Sequence, residues 1–284
     1  MSGSFRGRLF VWFQYVLPQH ALSRLILAAT RVRAAWFKNA TIRGFLKLYS
    51  VDLTEAAESD PYRFGSFNEF FTRALKPDVR PIAAGADVIA SPVDGCVSEA
   101  GTIDHDRLLQ AKDRHYRLAD LLAGQPWASR FEGGLFATIY LAPFNYHRVH
   151  MPLRGALKAT VYVPGRLFSV NGTTAAHVPR LFARNERVLT LFDTPFGQFA
   201  LVLVGALNVG SMATVWAGDI TPAARRAITL IPGPSIMLEK GAELGRFNMG
   251  STVILLFERN RAHWQPQVRA GSAVRLGQPL GVIA

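Results

Sequence analysis

The sequence predicts an α+β protein, with amphipathic helices at the N-terminus and a body that is mainly an antiparallel β sandwich or barrel. The first fifty residues combine helical hydrophobic spacing with an excess of basic side chains. From residue 89 onward Gly, Pro and Val are frequent, and short apolar runs alternate with turns. The chain has 284 residues, 49% of them hydrophobic, which suffices for a full core. We place the boundary between a helical region, 1–76, and a β-rich domain, 77–284.

The positive charge is concentrated near the N-terminus. The chain has 32 Lys and Arg against 20 Asp and Glu, a net charge of +12. Residues 1–51 hold eight of the basic residues and no acidic one, because the first carboxylate is Asp52. The single cysteine, Cys96, excludes an internal disulfide framework and a multi-cysteine zinc site.

The N-terminal segment has the pattern of two or three short amphipathic helices with basic flanks. An apolar run at 9–17 ends at Pro18 and is too short to span a bilayer, which takes about 20 residues. Helical spacing continues at 22–38 and 42–49. Such helices lie in the membrane interface, although a helical cap on the main domain and a nucleic-acid arm are alternatives. The high apolar content favours lipid. No clear signal peptide is present, because Gln14 interrupts the run and no small-residue cleavage site follows.

The remaining elements follow from turn signals and apolar runs. We expect a short helix through 55–58, capped by Asp52 or Thr54, and a second helix at 67–75 that ends before Pro77. Another helix is expected at 118–123. Strands are expected at 135–141, 156–163, 187–192, 199–209 and 253–257. A weak repeat, Gly-x-x-Leu-Gly at 241–245 and 277–281, indicates two similar turns.

Two local clusters carry acid–base groups. Asp94 lies in Ser-Pro-Val-Asp-Gly at 91–95, where its simpler interpretation is a turn residue that bonds to its own backbone. His147 and His150 lie three residues apart, a spacing open to acid–base chemistry, to a metal pair or to a structural role. No acidic residue or cysteine lies beside them to complete a metal site, and we predict none.

The third cluster, at 245–252, runs directly into an apolar strand. Gly250 has no Cβ, so its carbonyl is open to attack, and Ser251 supplies an adjacent hydroxyl. If a base activates Ser251, its Oγ can attack the Gly250 carbonyl and convert the amide to an ester. β-Elimination then breaks the chain, and hydrolysis of the dehydroalanine leaves a pyruvoyl group. The bland alternative is an ordinary turn before a strand.

With these clusters the chain resembles the phosphatidylserine decarboxylase family, in its long membrane-associated bacterial type. Two departures from the family pattern are Met249, where leucine is usual, and Asn145, where aspartate is frequent. The first conserves volume and apolarity. The segments that carry the resemblance are 70–76 (Phe-Phe-Thr-Arg-Ala-Leu-Lys), 91–95, 146–152 (Tyr-His-Arg-Val-His-Met-Pro), 167–171 (Leu-Phe-Ser-Val-Asn), 185–188, 204–206 with 209–211, and 240–252.

The resemblance implies a self-processing decarboxylase that needs a pyruvoyl cofactor. Asp94, His150 and Ser251 would form a charge relay that cuts between Gly250 and Ser251. The products would be a β chain, 1–250, and an α chain, 251–284, in which Ser251 has become the pyruvoyl group. That group would form a Schiff base with phosphatidylserine, which loses CO2 to give phosphatidylethanolamine in phospholipid biosynthesis. His147 would donate the proton in this decarboxylation.

The resemblance also implies the surroundings of the site. Phe168, Ser169 and Asn171 would lie near the substrate, phosphatidylserine in an anionic membrane. The chain would be peripheral on the cytoplasmic face of the inner membrane, without a transmembrane helix. The region 1–76 would dock on the membrane and 77–284 would be catalytic, in a homodimer of processed protomers that does not bind nucleic acid.

Four other functions fit parts of the pattern. They are a serine hydrolase acting on an intact chain, a non-catalytic protein that binds lipid or nucleic acid, a decarboxylase of a related serine phospholipid, and a pyruvoyl-dependent amino-acid decarboxylase. The last has no use for a basic amphipathic segment.

Overall fold

A computed structural model describes residues 5–111, 114–207, 211–221, 227–231 and 236–284. Three helices open the chain and a sheet-rich body follows, so the predicted α+β class is confirmed. The helices are α1 (Phe5–Val16), α2 (Gln19–Thr30), α3 (Ala35–Leu48), α4 (Phe67–Phe71), α5 (Leu118–Leu121), α6 (Gly172–His177) and α7 (Leu181–Arg184), with one 3-10 turn at Ala128–Phe131.

The strands form four open antiparallel sheets, and within the described ranges none of the sheets closes into a barrel. The strands are β1 (Val88–Ala90), β2 (Gly95–Thr102), β3 (Arg107–Ala111), β4 (Arg114–Arg117), β5 (Leu135–Leu141), β6 (Arg148–His150), β7 (Gly155–Val163), β8 (Arg187–Thr194), β9 (Gly197–Val204), β10 (Met212–Thr214), β11 (Gly218–Asp219), β12 (Thr229–Leu230), β13 (Met237–Leu238), β14 (Glu243–Phe247), β15 (Ser251–Phe257), β16 (Ala262–Trp264), β17 (Ala273–Val274) and β18 (Pro279–Ile283).

The largest sheet has nine strands and places β15 near its centre. Its order is β12-β7-β8-β9-β15-β5-β2-β17, with β13 also paired to β7. Every residue of β15 is buried, and the strand pairs with β5 from Ser251 opposite Leu141 to Phe257 opposite Leu135. On its other side β15 pairs with β9. The smaller sheets have the orders β11-β10-β14-β6, β1-β18-β16 and β3-β4.

The first two helices turn polar side chains inward and apolar side chains outward. Gln14 and Gln19 are almost fully buried, whereas Trp12 is 61% exposed and Phe13 is 54% exposed. The Gln14 side chain accepts a hydrogen bond from the backbone N–H of Ser169 at 2.7 Å. Gln19 accepts one in the same way from Leu167, at 2.9 Å. These two glutamines therefore fasten the helices to the body and leave the apolar face uncovered.

Several predicted boundaries were wrong. Residues 55–58 are not helical, because Ala56 forms a β-bridge with Leu75. The same bridge ends α4 at Phe71 rather than at residue 75, since the chain must turn back to reach Ala56. The stretch 22–38 is broken at 31–34, between α2 and α3.

Other elements of the body agree with the sequence more closely. The predicted strand at 135–141 is confirmed, and those at 156–163, 187–192 and 253–257 are confirmed within two residues at each end. The strand expected at 199–209 ends at Val204, and 208–210 lie outside the described residues. The helix expected at 118–123 ends at Leu121, and Ala123 lies outside helical geometry with a φ of 53°.

Candidate active site

The bond between Gly250 and Ser251 lies where the chain passes from β14 to β15. Ser251 is fully buried, and no group among the described residues hydrogen-bonds to its Oγ. A Cβ built on Gly250 would lie 3.6 Å from Nε2 of His147 and 3.5 Å from the carbonyl oxygen of Leu141. An imidazole nitrogen therefore faces the predicted cleavage site.

Within the described ranges, Nε2 of His147 has no hydrogen-bond partner, and the opposite ring nitrogen fixes the side chain. Its Nδ1 lies 2.8 Å from the carbonyl oxygen of Asn145. A carbonyl only accepts hydrogen bonds, so Nδ1 carries the proton of the neutral ring and Nε2 carries a lone pair. The side chain is fully buried, and this burial, together with the smaller effect of the positive charge of Arg73, lowers the pKa of His147 to about 3. The Phe71 ring covers the imidazole, with 4.2 Å between ring centroids.

The segment before the cleavage site is fixed by hydrogen bonds to Asn248. Its backbone N–H donates to the carbonyl of Ser211 at 2.9 Å. Its side-chain oxygen accepts from Nδ2 of Asn68 in α4 at 3.1 Å. Its Nδ2 donates to Oδ1 of Asp219 at 3.3 Å, and Asp219 also pairs with Arg31, the residue that follows α2. We call these contacts the Asn248 clamp.

The other two members of the predicted relay are occupied elsewhere. Nδ1 of His150 lies 2.7 Å from the carbonyl of Gly241, and its Nε2 lies 3.0 Å from the Tyr146 hydroxyl. Burial lowers the pKa of His150. The structure therefore does not join His150 to Ser251 by a direct hydrogen bond.

Asp94 likewise bonds to groups other than His150. Arg80 donates to both of its oxygens, at 3.0 and 2.7 Å, and both side chains are nearly buried. The backbone N–H of Leu276 donates to Oδ1 of Asp94 at 2.7 Å. Asp94 therefore ties the segment after residue 251 to the body. It lines a cavity of about 250 Å³ that Tyr146 also lines.

A larger cavity of about 430 Å³ opens beside Gly250. Ser169 and Asn171, two of the residues predicted to lie near the substrate, line it. The third, Phe168, is fully buried and packs against Tyr15, with 4.8 Å between ring centroids. The full lining is Phe10, Phe45, Tyr49, Phe71, Tyr140, Leu141, Pro143, Ser169, Val170, Asn171, Ala206, Leu207, Met249 and Gly250.

Two residues that line this cavity were not predicted as site residues. Phe10 of α1 and Phe45 of α3 place the N-terminal helices directly against the cleavage site. Phe71 lies in the 70–76 segment that supports the family resemblance, but the sequence assigned it no role. No sequence pattern pointed to Asp219, because its contact with Asn248 joins residues far apart in the chain.

Comparison with known proteins supports one family. A family model described as phosphatidylserine decarboxylase matches residues 67–282, and a second model, described as PSD, matches 9–50. The chain is 53% identical over 282 residues to the phosphatidylserine decarboxylase proenzyme of Pseudomonas fluorescens, covering 98% of each chain. It is 51% identical over 277 residues to that of Methylococcus capsulatus, covering 96% of each. Since the match spans nearly the whole chain, this protein belongs to the phosphatidylserine decarboxylase family.

Proposed function

We propose that this chain is the precursor of a pyruvoyl-dependent enzyme that decarboxylates phosphatidylserine to phosphatidylethanolamine and CO2. The observation that carries the proposal is that Nε2 of His147 faces Gly250, while neither this nitrogen nor Oγ of Ser251 has a hydrogen-bond partner among the described residues. The names of the curated relatives, decarboxylase and proenzyme, agree with it.

Self-cleavage would proceed through an ester. The Oγ of Ser251 attacks the Gly250 carbonyl, and the amide nitrogen leaves with a proton. A base then removes the Cα proton of Ser251, and the Cβ–Oγ bond breaks to give a Gly250 carboxylate and dehydroalanine. Water replaces the nitrogen, which leaves as ammonia, and a pyruvoyl group remains at residue 251. The overall reaction consumes one water and releases one ammonia.

The base for this step has two candidates. The relay expected from the family is Asp94, His150 and Ser251, in which His150 takes the serine proton and Asp94 orients it. This assignment requires His150 to leave Gly241 and Tyr146. The free lone pair on His147 favours a second assignment, in which His147 takes the proton of Ser251.

The surrounding residues fit a pyruvoyl group at position 251. When bound, the group supplies a carbonyl that joins the substrate amine and withdraws electrons from the breaking carbon–carbon bond. Ser169 and Asn171 offer polar groups to the headgroup in an otherwise apolar cavity. His147 delivers a proton to the carbon that loses CO2. The aromatic wall that includes Phe10 and Phe45 excludes water.

We further propose that region 1–76 docks this catalytic domain on an anionic membrane. The exposed apolar side chains of α1 and the eight basic residues of 1–51 are the two features that interfacial helices combine. In the parts of the chain that the structure describes, no helix is long and apolar enough to cross a bilayer. A peripheral position on the cytoplasmic face, and a homodimer of processed protomers, complete the proposal.

Mass spectrometry of the purified protein tests the processing. We expect fragments 1–250 and 251–284, the second beginning with a pyruvoyl group in place of serine. The Ser251→Ala variant serves as the control, and it should stay one chain without activity. A wild-type protein that stays one intact chain and hydrolyses the lipid would instead indicate a serine hydrolase.

Variants of the two histidines separate their roles. If the Asp94–His150–Ser251 relay operates, His150→Ala stays uncut, whereas His147→Ala is cut but loses most decarboxylation, by about 100-fold or more. If His147→Ala also stays uncut on denaturing gels, His147 is the base for Ser251.

The substrate class is tested by CO2 release. Phosphatidylserine in vesicles should yield CO2, and free serine or phosphoserine should not. Release from the soluble compounds at an equal rate would favour an amino-acid decarboxylase. An absence of release from every substrate by fully processed protein would contradict the proposed reaction.

A further inference from the structure

We propose that the carboxylate that self-cleavage leaves on Gly250 becomes the counter-ion of His147 and favours the protonated form of this imidazole in the mature protein. The inference rests on the proposed cleavage between Gly250 and Ser251. It assigns the new chain end a role in decarboxylation, as the group that prepares His147 to act as an acid.

The uncut chain has the wrong form of His147 for that task. Its one ring proton is on Nδ1 and is donated to the carbonyl of Asn145. Nε2, the nitrogen that faces the site, has no proton to give. Burial keeps the ring neutral, because it lowers the pKa of His147 to about 3. Such an imidazole can accept a proton during cleavage, but a proton donor must carry one at Nε2.

Cleavage itself places a negative charge at this nitrogen. The Gly250 carbonyl carbon, which is neutral in the amide, becomes a carboxylate once the Cβ–Oγ bond breaks. A Cβ built on Gly250 would lie 3.6 Å from Nε2 of His147, and the carboxylate carbon is bonded to the same Cα, so the new charge arises close to this nitrogen. An opposite charge at about 4–6 Å raises the pKa of a cationic acid by about 1–3 units.

The Asn248 clamp keeps the new chain end in place after the cut. Three groups hold Asn248, which is only two residues from the carboxylate: the backbone of Ser211, Asn68 and Asp219. Met249 also packs against the aromatic cluster of α3 and α4. The backbone N–H of Phe247 donates to the carbonyl of His147 itself, at 3.0 Å.

Few charges compete with the carboxylate at this imidazole. The groups that contact the ring are the neutral Phe71 and the carbonyl of Asn145. Within the described part of the chain, Arg73 is the charged side chain that acts on His147, and it opposes protonation. Arg73 is itself buried, and its Nε has no hydrogen-bond partner there. The Gly250 carboxylate therefore enters a positively biased site.

The test compares His147 in the mature protein and in the uncut Ser251→Ala precursor, both as full chains in the same detergent. The chains carry isotope-labelled histidine, and the His147 signal is identified by its loss in His147→Gln. We expect the pKa of His147 from the NMR titration to be about 1–3 units higher in the mature protein. An equal pKa of His147 in the mature protein and in the uncut precursor overturns the proposal.

A second comparison separates the carboxylate from the pyruvoyl group, which also appears on cleavage. Mature Asn248→Ala retains the pyruvoyl group but frees the chain end, so the pKa of His147 should fall back toward the precursor value. Asn39→Ala is the matched control, because Asn39 lies in α3 and accepts a hydrogen bond from its neighbour Lys38. If Asn248→Ala titrates like the mature wild type, the carboxylate is not the counter-ion.

Mass spectra of the same samples keep this inference apart from the proposed function. A wild-type sample that remains uncut contradicts the proposed function. A sample that is fully cut and carries the pyruvoyl group, but in which His147 titrates as in the precursor, contradicts this inference alone. If Asn248→Ala does not process, equal titration of His147 in the mature and uncut chains still overturns the proposal.

Discussion

His147 and His150 lie three residues apart, yet their surroundings differ in a way that decides their chemistry. Each ring nitrogen of His150 has a partner, whereas Nε2 of His147 has none among the described residues. Sequence motifs identified both histidines as site residues. They could not assign the partners, because Gly241 is far from His150 in the chain and is brought to it by strand pairing.

Asp94 shows the same limit of sequence reasoning. The sequence offered a turn residue or a relay acid. The structure gives it a bond to the backbone N–H of Leu276 and an ion pair with Arg80. Neither partner lies in the motif around Asp94, so no local pattern could predict them.

The buried histidine makes the stability of the uncut chain depend on pH. Folding lowers the pKa of His147 to about 3, against about 6.5 when unfolded. The unfolded chain therefore binds more protons between these values, and the free energy of unfolding falls as pH falls. For this one group the fall is up to about 1.4 kcal/mol per pH unit.

Urea unfolding of Ser251→Ala at pH 7 and pH 5 measures this effect. Adding His147→Gln should reduce the pH dependence, because one of the two buried histidines with a lowered pKa is gone. Adding His263→Gln, at an exposed histidine, is the control and should leave the slope nearly unchanged. An unaltered slope in His147→Gln would falsify the assignment of a neutral buried imidazole.

The N-terminal helices show what hydrophobic spacing can predict and where it stops. The spacing located amphipathic helices, and α1 to α3 are present. It did not reveal that buried glutamines would attach α1 and α2 to the body, since a periodic pattern does not say which face packs inward. The failed helix at 55–58 has a related cause, because a tertiary β-bridge from Ala56 to Leu75 overrides local propensity.

Charge on the outer face of α1 should weaken membrane binding without harming the fold. Trp12 and Phe13 are mostly exposed, so Glu at both sites should change the free energy of unfolding by less than about 0.5 kcal/mol per substitution. On a membrane, each substitution removes about 1.5–3 kcal/mol of binding free energy, because the apolar side chain is no longer there to be buried in lipid. We expect the dissociation constant for anionic vesicles to rise at least about tenfold per site.

Vesicle sedimentation with a fluorescent lipid measures the loss. Val282→Glu is the control, because it adds the same charge at an exposed apolar residue of β18. Self-cleavage should be normal in all variants. Unchanged vesicle binding of the Trp12 and Phe13 variants would show that α1 does not face lipid.

The whole molecule joins two features that the sequence presents separately. The basic, apolar N-terminus and the predicted cleavage motif are far apart in the chain, and the 430 Å³ cavity brings Phe10 and Gly250 into one wall. Sequence reasoning reached the family because the motifs that carry the resemblance are local patterns. It could not find this cavity, because Phe10 and Gly250 meet only through the tertiary fold.

The two fragments should stay together after cleavage. Residues 251–284 contribute β15, which pairs with β5 and β9 on its two sides, as well as β17 and β18, which pair with β2 and β1. Strand pairing on both sides of a buried strand opposes its release. We expect one peak containing both fragments in gel filtration under native conditions, at the position of uncut Ser251→Ala, and separation only in denaturant. Separation of the two fragments in detergent without denaturant would contradict this prediction.

The attachment of α1 to the body has a consequence for membrane sidedness. If α1 docks on lipid through its exposed apolar side chains, as proposed, the bond between Gly250 and Ser251 keeps a fixed height above the bilayer surface, because α1 also lines the cavity through Phe10. Under the proposed function, the protein therefore reaches only headgroups of the leaflet on which it sits. Phosphatidylserine in the opposite leaflet must first flip across the bilayer, and newly made phosphatidylethanolamine begins on one side only.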